Sequence, residues 1–191
     1  RINVDNNIRN WRFGATLQVG HSKIVGTDEA GVYIGSPLNA LRWSNPYERD
    51  KDPVTGEYQQ LGGTGVLLSN QPNGAMELFL NQRWSLQFKG IGTAYLEFHF
   101  PFLKGLYART NWGGDFTQNE GSTYNDKATF TGSQASGGNG SLTRSTNRNF
   151  RYTGTTSLNY KNVFGDHEIE GGIYTEVVKT TYRSFGFTGY G

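Results

Sequence analysis

Apolar and polar residues alternate along this chain with a period of two, and this feature restricts its fold most strongly. Successive residues of a strand face opposite sides of a sheet, so strict alternation is typical of a strand with one apolar and one polar face. No window favours an amphipathic helix. The clearest run has apolar or small residues at odd positions and polar residues or glycine between them: Trp11, Phe13, Ala15, Leu17, Val19 against Arg12, Gly14, Thr16, Gln18.

The first hairpin shows that turn and pattern agree. A two-residue turn at Arg9-Asn10 pairs Ile8 with Trp11 and Val4 with Ala15. Because the side-chain period is two, a slip of one residue would move every apolar side chain to the other face. The register set by the turn instead places all the apolar residues of both strands on one face.

Two further hairpins repeat the arrangement. The second joins roughly 83–100 to 106–116 through a turn rich in Pro and Gly, and it pairs Phe100 with Leu106. The third turns near Phe164-Gly165-Asp166. The sequence therefore predicts an all-β, antiparallel fold with about six long strands in three hairpins.

Length, connections and charge favour a transmembrane β-barrel segment. The strands, at about 12–17 residues, exceed the 3–10 usual in globular sheets. Charged residues avoid the middle of the apolar faces, and aromatic residues lie near strand ends, as outer-membrane barrels require. Three turns are short, while two connections, about Ile24 to Gln82 and Gln118 to Asn147, are long. Short periplasmic and long extracellular connections are typical of such barrels. We therefore expect the loops that contain Trp43 and Gly138 to be external.

Six strands are too few to close a transmembrane barrel, which needs about eight. The chain begins within a strand and ends in a predicted loop, so we expect an internal segment of a larger barrel. A soluble β-sandwich, for instance a glycan-binding module, also uses period-two strands and remains the alternative.

Composition excludes several other classes. With 18 basic and 16 acidic residues, the net charge is +2, which gives no basic footprint for nucleic acid. There is no Cys, and three distant His lack metal-ligand spacing, so no metal or other cofactor is expected. We find no catalytic constellation and predict that the chain is not an enzyme. Glu168 and Glu170 share a face as a glycosidase pair would, but lumen-facing charge is the favoured interpretation. The segment 50–57 lacks the spacing of a calcium loop, and we interpret it as a solvated loop.

Several stretches resemble the SusC/RagA family of TonB-dependent outer-membrane transporters of Bacteroidetes. The similar stretches keep the family's order along most of the chain. They are Asn45-Pro46-Tyr47, Ala94-Tyr95-Leu96-Glu97-Phe98, Pro101 to Leu106, Arg109 to Asp115, Thr156 to Tyr160 and Phe164-Gly165-Asp166-His167.

This resemblance implies a barrel of about 22 strands with a plugged lumen. Residues 1–191 would be a partial TonB-dependent-receptor barrel domain, without the plug domain and the TonB box. The implied function is import of an oligosaccharide or peptide across the outer membrane. The implied partners are a SusD-like surface lipoprotein, TonB, the cargo and outer-membrane lipid. A passive porin would share the strand pattern and stays open as the alternative.

Two groups of residues are candidates for function. Lumen-facing charges could contact the plug or the cargo, with salt bridges to the plug as the favoured role: Glu97, Arg109, Asp115, Arg151 and Glu170. Aromatic residues of the first long connection could contact cargo or the lipoprotein, or serve only in loop packing: Tyr33, Trp43, Tyr47 and Tyr58.

Overall fold

The computed structural model describes residues 1–26, 36, 39, 42, 49–59 and 73–191. Within these ranges the chain forms one six-stranded antiparallel sheet whose strands neighbour one another in sequence order, and the sheet is open, with β1 and β6 as its edges. The strands are β1 Ile2–Ile8, β2 Trp11–Gly26, β3 Gln82–His99, β4 Leu106–Asn125, β5 Ser141–Phe164 and β6 His167–Tyr190. The predicted all-β antiparallel fold in three hairpins is confirmed.

The predicted registers are also confirmed. Ile8 is the partner of Trp11, and Val4 is the partner of Ala15. In the second hairpin the Phe100 amide donates to the Leu106 carbonyl at 3.0 Å. The third turn consists of two residues between Phe164 and His167. Turn length therefore determines the face on which each side chain lies.

Strand lengths differ from the prediction at the long-connection end. β4 continues to Asn125 and β5 begins at Ser141, so the second long connection is 126–140, about half the predicted length. Polar and small residues occupy these strand extensions, and their weak alternation hid them from a search for apolar periodicity. β6 likewise continues to Tyr190, well beyond Val177.

Within 73–140 the structure contains two short helices that the sequence did not predict: α1 Gly74–Leu80 and α2 Phe130–Ser133, the latter followed by a 3₁₀ turn at Ser136–Gly138. The Asn73 side chain caps α1 by accepting from the amides of Ala75 and Met76. None of the described helices is long and apolar enough to span a membrane. Their few residues carry too little periodicity for detection from sequence.

A buried carboxylate joins the two helices. Glu77 of α1 is 2% exposed. Its oxygens accept from the Phe130 amide at 2.5 Å, the Thr131 hydroxyl at 2.7 Å and the Asn81 side-chain amide at 2.9 Å. Asn81 in turn accepts from the Thr129 hydroxyl at 3.1 Å. A carboxylate at a helix N-terminus satisfies amides that have no partner within the helix. Glu77 therefore fixes the second long connection onto α1.

The chain divides into two compact units. The first comprises 1–22, 87–119 and 147–183, and the second comprises 23–86, 120–146 and 184–191. Among the described residues, the one apolar side chain that is buried is Met76 of the second unit, which is 4% exposed. The described part of the chain thus lacks the dry apolar core of a soluble domain.

Candidate functional site

In the first unit the sheet presents an apolar face, formed by the even positions of β1, β3, β4 and β5 and the odd positions of β2 and β6. Its large apolar side chains are exposed; Ile2 is 62% exposed and Ile173 is 76% exposed. An exposed apolar surface of this kind marks a site of contact with membrane or protein.

Aromatic rings form two groups on the apolar face. Near the short turns, Trp11 and Phe98 lie 4.4 Å apart between ring centroids. Towards the other end of the unit, Phe88 and Phe116 lie 6.0 Å apart. From Phe88 to Phe98 the strand advances ten residues, or about 33 Å at about 3.3 Å per residue. At the strand tilt of about 40° that is typical of outer-membrane barrels, this separation would span about 25 Å, the height of their apolar band.

Two hydroxyls and an indole nitrogen on the apolar face are paired with one another. The hydroxyls of Thr110 and Thr156 lie 3.0 Å apart, and the Trp112 indole nitrogen donates to Thr110 at 3.0 Å. The Trp112 ring covers Gly154, where an added Cβ would lie 2.6 Å from the ring. In hydrocarbon an unpaired hydroxyl or N–H costs several kcal/mol. This arrangement therefore suits a face in contact with lipid.

The opposite, polar face carries a hydrogen-bonded charge network. Glu97 is 7% exposed and accepts from Arg109 at 3.3 Å, and its other oxygen lies 2.8 Å from the His99 ring. The Arg109 guanidinium lies over the Tyr95 ring, 4.8 Å from its centroid. Tyr95 donates to Asp5 at 2.6 Å. Polar side chains of β1, β3 and β4 are thus connected, and Tyr95 crosses β2 at Gly14, where an added Cβ would lie 2.6 Å from its ring.

The structure brings only two of the predicted lumen residues together, namely Glu97 and Arg109. Asp115 instead pairs with Lys89 at 3.8 Å. Glu170 pairs with Lys161 at 3.1 Å. Arg151 is exposed on the same face.

Sequence reasoning missed several polar-face residues that take part in these contacts: Asp5, Tyr95, His99 and Lys161. Glu168, a predicted lumen-facing charge, lies 2.7 Å from the Lys161 ammonium. Lys161 could have been found, since the two-residue turn places it opposite Glu170. The contact between Asp5 and Tyr95 joins two hairpins that no short turn connects, and no sequence signal fixes that register.

Of the loop candidates, Tyr33, Trp43 and Tyr47 lie outside the described residues. Tyr58 forms an isolated antiparallel β-bridge with Lys51, and the Lys51 ammonium lies 4.5 Å from the centroid of the Tyr58 ring. The turn between them is closed by Asp52, whose side chain accepts from the amides of Val54 at 2.7 Å and Thr55 at 2.9 Å. These backbone hydrogen bonds, from Thr55 first and Val54 second, lower the pKa of Asp52 below its ordinary value.

A pocket of ≈ 360 Å³ opens in the second unit. Its lining comes from β2, β3, β4 and β5, and hydroxyl side chains predominate: Ser85, Ser122, Thr123, Thr143 and Ser145, together with Ile24, Arg83 and Trp84. A concave site of this size, with several convergent hydroxyls, can bind a small polar ligand. Within the described ranges, no three His, Cys, Asp or Glu side chains are placed to hold a metal ion.

Comparison with known proteins does not assign the chain to a family. No protein-family model matches the chain, and no curated protein sequence matches it.

Proposed function

We propose that the chain is a segment of a SusC/RagA-type, TonB-dependent transporter that imports an oligosaccharide or peptide across the outer membrane. The observation that carries the proposal is the distribution of burial in the first unit. Apolar side chains are exposed on one face, while Glu97 is buried within a charge network on the other. A soluble domain arranges these residue types in the opposite way.

The alternation of connections supports the same proposal. The three turns within hairpins are short, whereas β2 and β3 are separated by 27–81. Extracellular connections of outer-membrane barrels are long in this way, and binding residues gather on loops held by a rigid scaffold. In this proposal a SusD-like lipoprotein contacts the long connections, and TonB acts through a plug domain.

The hydroxyl side chains of the pocket in the second unit support import of a hydrogen-bonding cargo. These hydroxyls can donate to and accept from sugar hydroxyls, or contact the backbone of a peptide. The charge network of Glu97 and Arg109 is largely satisfied by its own members. Because these side chains are held by their mutual hydrogen bonds, we expect them to form a rigid surface against which a plug or cargo packs, and not to rearrange around the cargo.

Two experiments test location and topology. The full-length protein should fractionate with outer membranes and require detergent for extraction; recovery from a detergent-free soluble extract would contradict the membrane assignment. In intact cells, an impermeant thiol reagent should label Ser136→Cys and leave Lys104→Cys unlabelled. Labelling of Lys104→Cys alone would reverse the orientation.

Dependence on TonB tests the function itself. Uptake of oligosaccharide and peptide pools should stop in a strain without TonB and return on complementation. A passive porin predicts uptake that continues without TonB. Persistent uptake would therefore overturn the importer while leaving the barrel intact.

A further inference from the structure

On the strands of the first unit, the apolar face carries three charged side chains, and all three are cations (Lys or Arg). They are Arg148 on β5 and Lys179 and Arg183 on β6, and each is exposed. No carboxylate occupies this face within the described part of the first unit. The cations are also grouped on two neighbouring strands, away from the short turns.

The register of the third hairpin places two of them opposite each other. Lys161 bonds to Glu170 at 3.1 Å, and Tyr182 donates to Asn147 at 3.3 Å. A two-residue turn with these contacts aligns Arg148 with Arg183 across the two strands. Like charges directly opposite one another destabilise a sheet unless an anion lies between them.

No described group supplies that anion. None of the three cationic side chains forms an ion pair or side-chain hydrogen bond with another described residue. The nearest carboxylate of β6, Glu176, has even parity and lies on the polar face. An external anion would satisfy both guanidinium groups, which bind phosphate oxygens in a bidentate manner.

The aromatic rings beside the cations indicate where that anion is held. Phe150 and Tyr152, 6.1 Å apart, lie on the same face of β5 as Arg148. The strand registers align Arg148 with Phe88, in the aromatic group far from the short turns. Aromatic rings and basic side chains together mark the boundary between hydrocarbon and lipid headgroups.

We infer that Arg148, Lys179 and Arg183 form a binding site for the phosphate groups of an anionic membrane lipid. Acyl chains of that lipid lie along the apolar face beside Phe150. The site faces the leaflet next to the long connections. This inference rests on the proposed membrane location, but it requires neither TonB nor any particular cargo.

The test compares two triple variants of the full-length protein. Arg148→Gln/Lys179→Gln/Arg183→Gln removes the site, and Arg12→Gln/Lys89→Gln/Arg151→Gln removes the same charge from the polar face. Each is placed in nanodiscs of phosphatidylcholine with trace fluorescent phosphatidylglycerol, and lipid association is measured by energy transfer from a dye on the protein. At about 1 kcal/mol per cation, the site variant should bind phosphatidylglycerol on the order of 100-fold more weakly at low salt. The control variant should match the wild type.

A lysine variant, a salt titration and competition by inorganic phosphate distinguish the possible results of this test. The Arg148→Lys/Arg183→Lys variant keeps the charge but loses the bidentate geometry, so it should associate less tightly than the wild type and remain sensitive to salt. Salt should also weaken association in the wild type. Should the glutamine variant fail to insert, these two measurements decide the question. Equal association in the glutamine and control variants, or salt-independent association, would overturn the site. Full competition by inorganic phosphate at equal concentration would replace the lipid by a free-phosphate ligand. A protein that never enters membranes refutes the proposed function instead.

Discussion

Leu96 and Glu97 are neighbours on β3 that face opposite sides of the sheet. Leu96 is 42% exposed, while Glu97 is 7% exposed and bonds to Arg109 and His99. In a soluble domain, leucine is often fully buried and glutamate almost never is. This reversal supports the proposed membrane location, in which the polar face lines the interior and the apolar face meets lipid.

The two faces also differ in how they satisfy polar atoms. On the apolar face the hydroxyls of Thr110 and Thr156 pair with each other, so neither requires water. On the polar face, ion pairs such as Lys89 with Asp115 remain partly exposed, and water can complete them. The difference suits one face in lipid and the other in an aqueous lumen.

The largest expected effect is the difference in stability between Arg substitutions on the two faces of β3. Ala94 and Ile91 are both exposed and lie on opposite faces of β3, about halfway between Phe88 and Phe98. In a membrane, Ala94→Arg should destabilise the protein by about 2–4 kcal/mol, because a lipid-facing Arg near the midplane is costly. Ile91→Arg, on the lumen side, should cost much less. Urea titration of both variants in lipid vesicles measures the difference, and equal costs would contradict the assignment of the faces.

The next effect concerns the charge network of the polar face. Glu97→Ala removes an acceptor from Arg109 and His99 and should cost about 1–3 kcal/mol, the penalty of leaving a partly buried donor unsatisfied. Asp115→Ala should cost less than about 1 kcal/mol, since its pair with Lys89 is exposed. A double-mutant cycle between Glu97 and Arg109 isolates their coupling. Coupling near zero would show that burial of Glu97 has another cause.

The sequence predicts contacts within hairpins better than contacts between them. Short turns fix the register of β3 with β4 and of β5 with β6, so the pairs of Glu97 with Arg109 and of Lys161 with Glu170 follow from counting residues. β2 and β3 are separated in sequence by 27–81, so no short turn fixes their register. For the same reason, the rings seated on Gly14 and Gly154 could not be predicted.

Substituting Gly14 or Gly154 by Ala tests how tightly an aromatic ring packs against the backbone on each face. At Gly14 an added Cβ would lie 2.6 Å from Tyr95 and 2.9 Å from the Val4 carbonyl oxygen. At Gly154 the three atoms nearest the added Cβ would all belong to the Trp112 ring, the closest at 2.6 Å. Gly14→Ala should therefore cost about 1–3 kcal/mol through overpacking against backbone. Gly154→Ala should cost less, because the Trp112 side chain can rotate into lipid.

Stability measurements and tryptophan fluorescence distinguish these outcomes. Gly154→Ala should shift the emission of Trp112 relative to a Trp112→Phe reference, while Gly14→Ala should leave Trp112 unchanged. A larger loss of stability for Gly154→Ala would mean that the indole cannot move, and hence that another part of the protein covers the apolar face.

The smallest effect is expected at Asp52, a carboxylate outside the sheet that serves as an exposed reference for Glu97. Backbone hydrogen bonds from Thr55 and Val54 lower the pKa of Asp52, so its contribution to turn stability is present above the ordinary carboxyl pKa, about 3.9. This contribution is lost as pH falls through the lowered pKa. Because the group is exposed, the change should be confined to the turn. In NMR spectra the amides of Val54 and Thr55 should shift in this acidic range, and Asp52→Asn should abolish the transition. A transition centred above the ordinary carboxyl pKa would contradict the hydrogen-bonded turn.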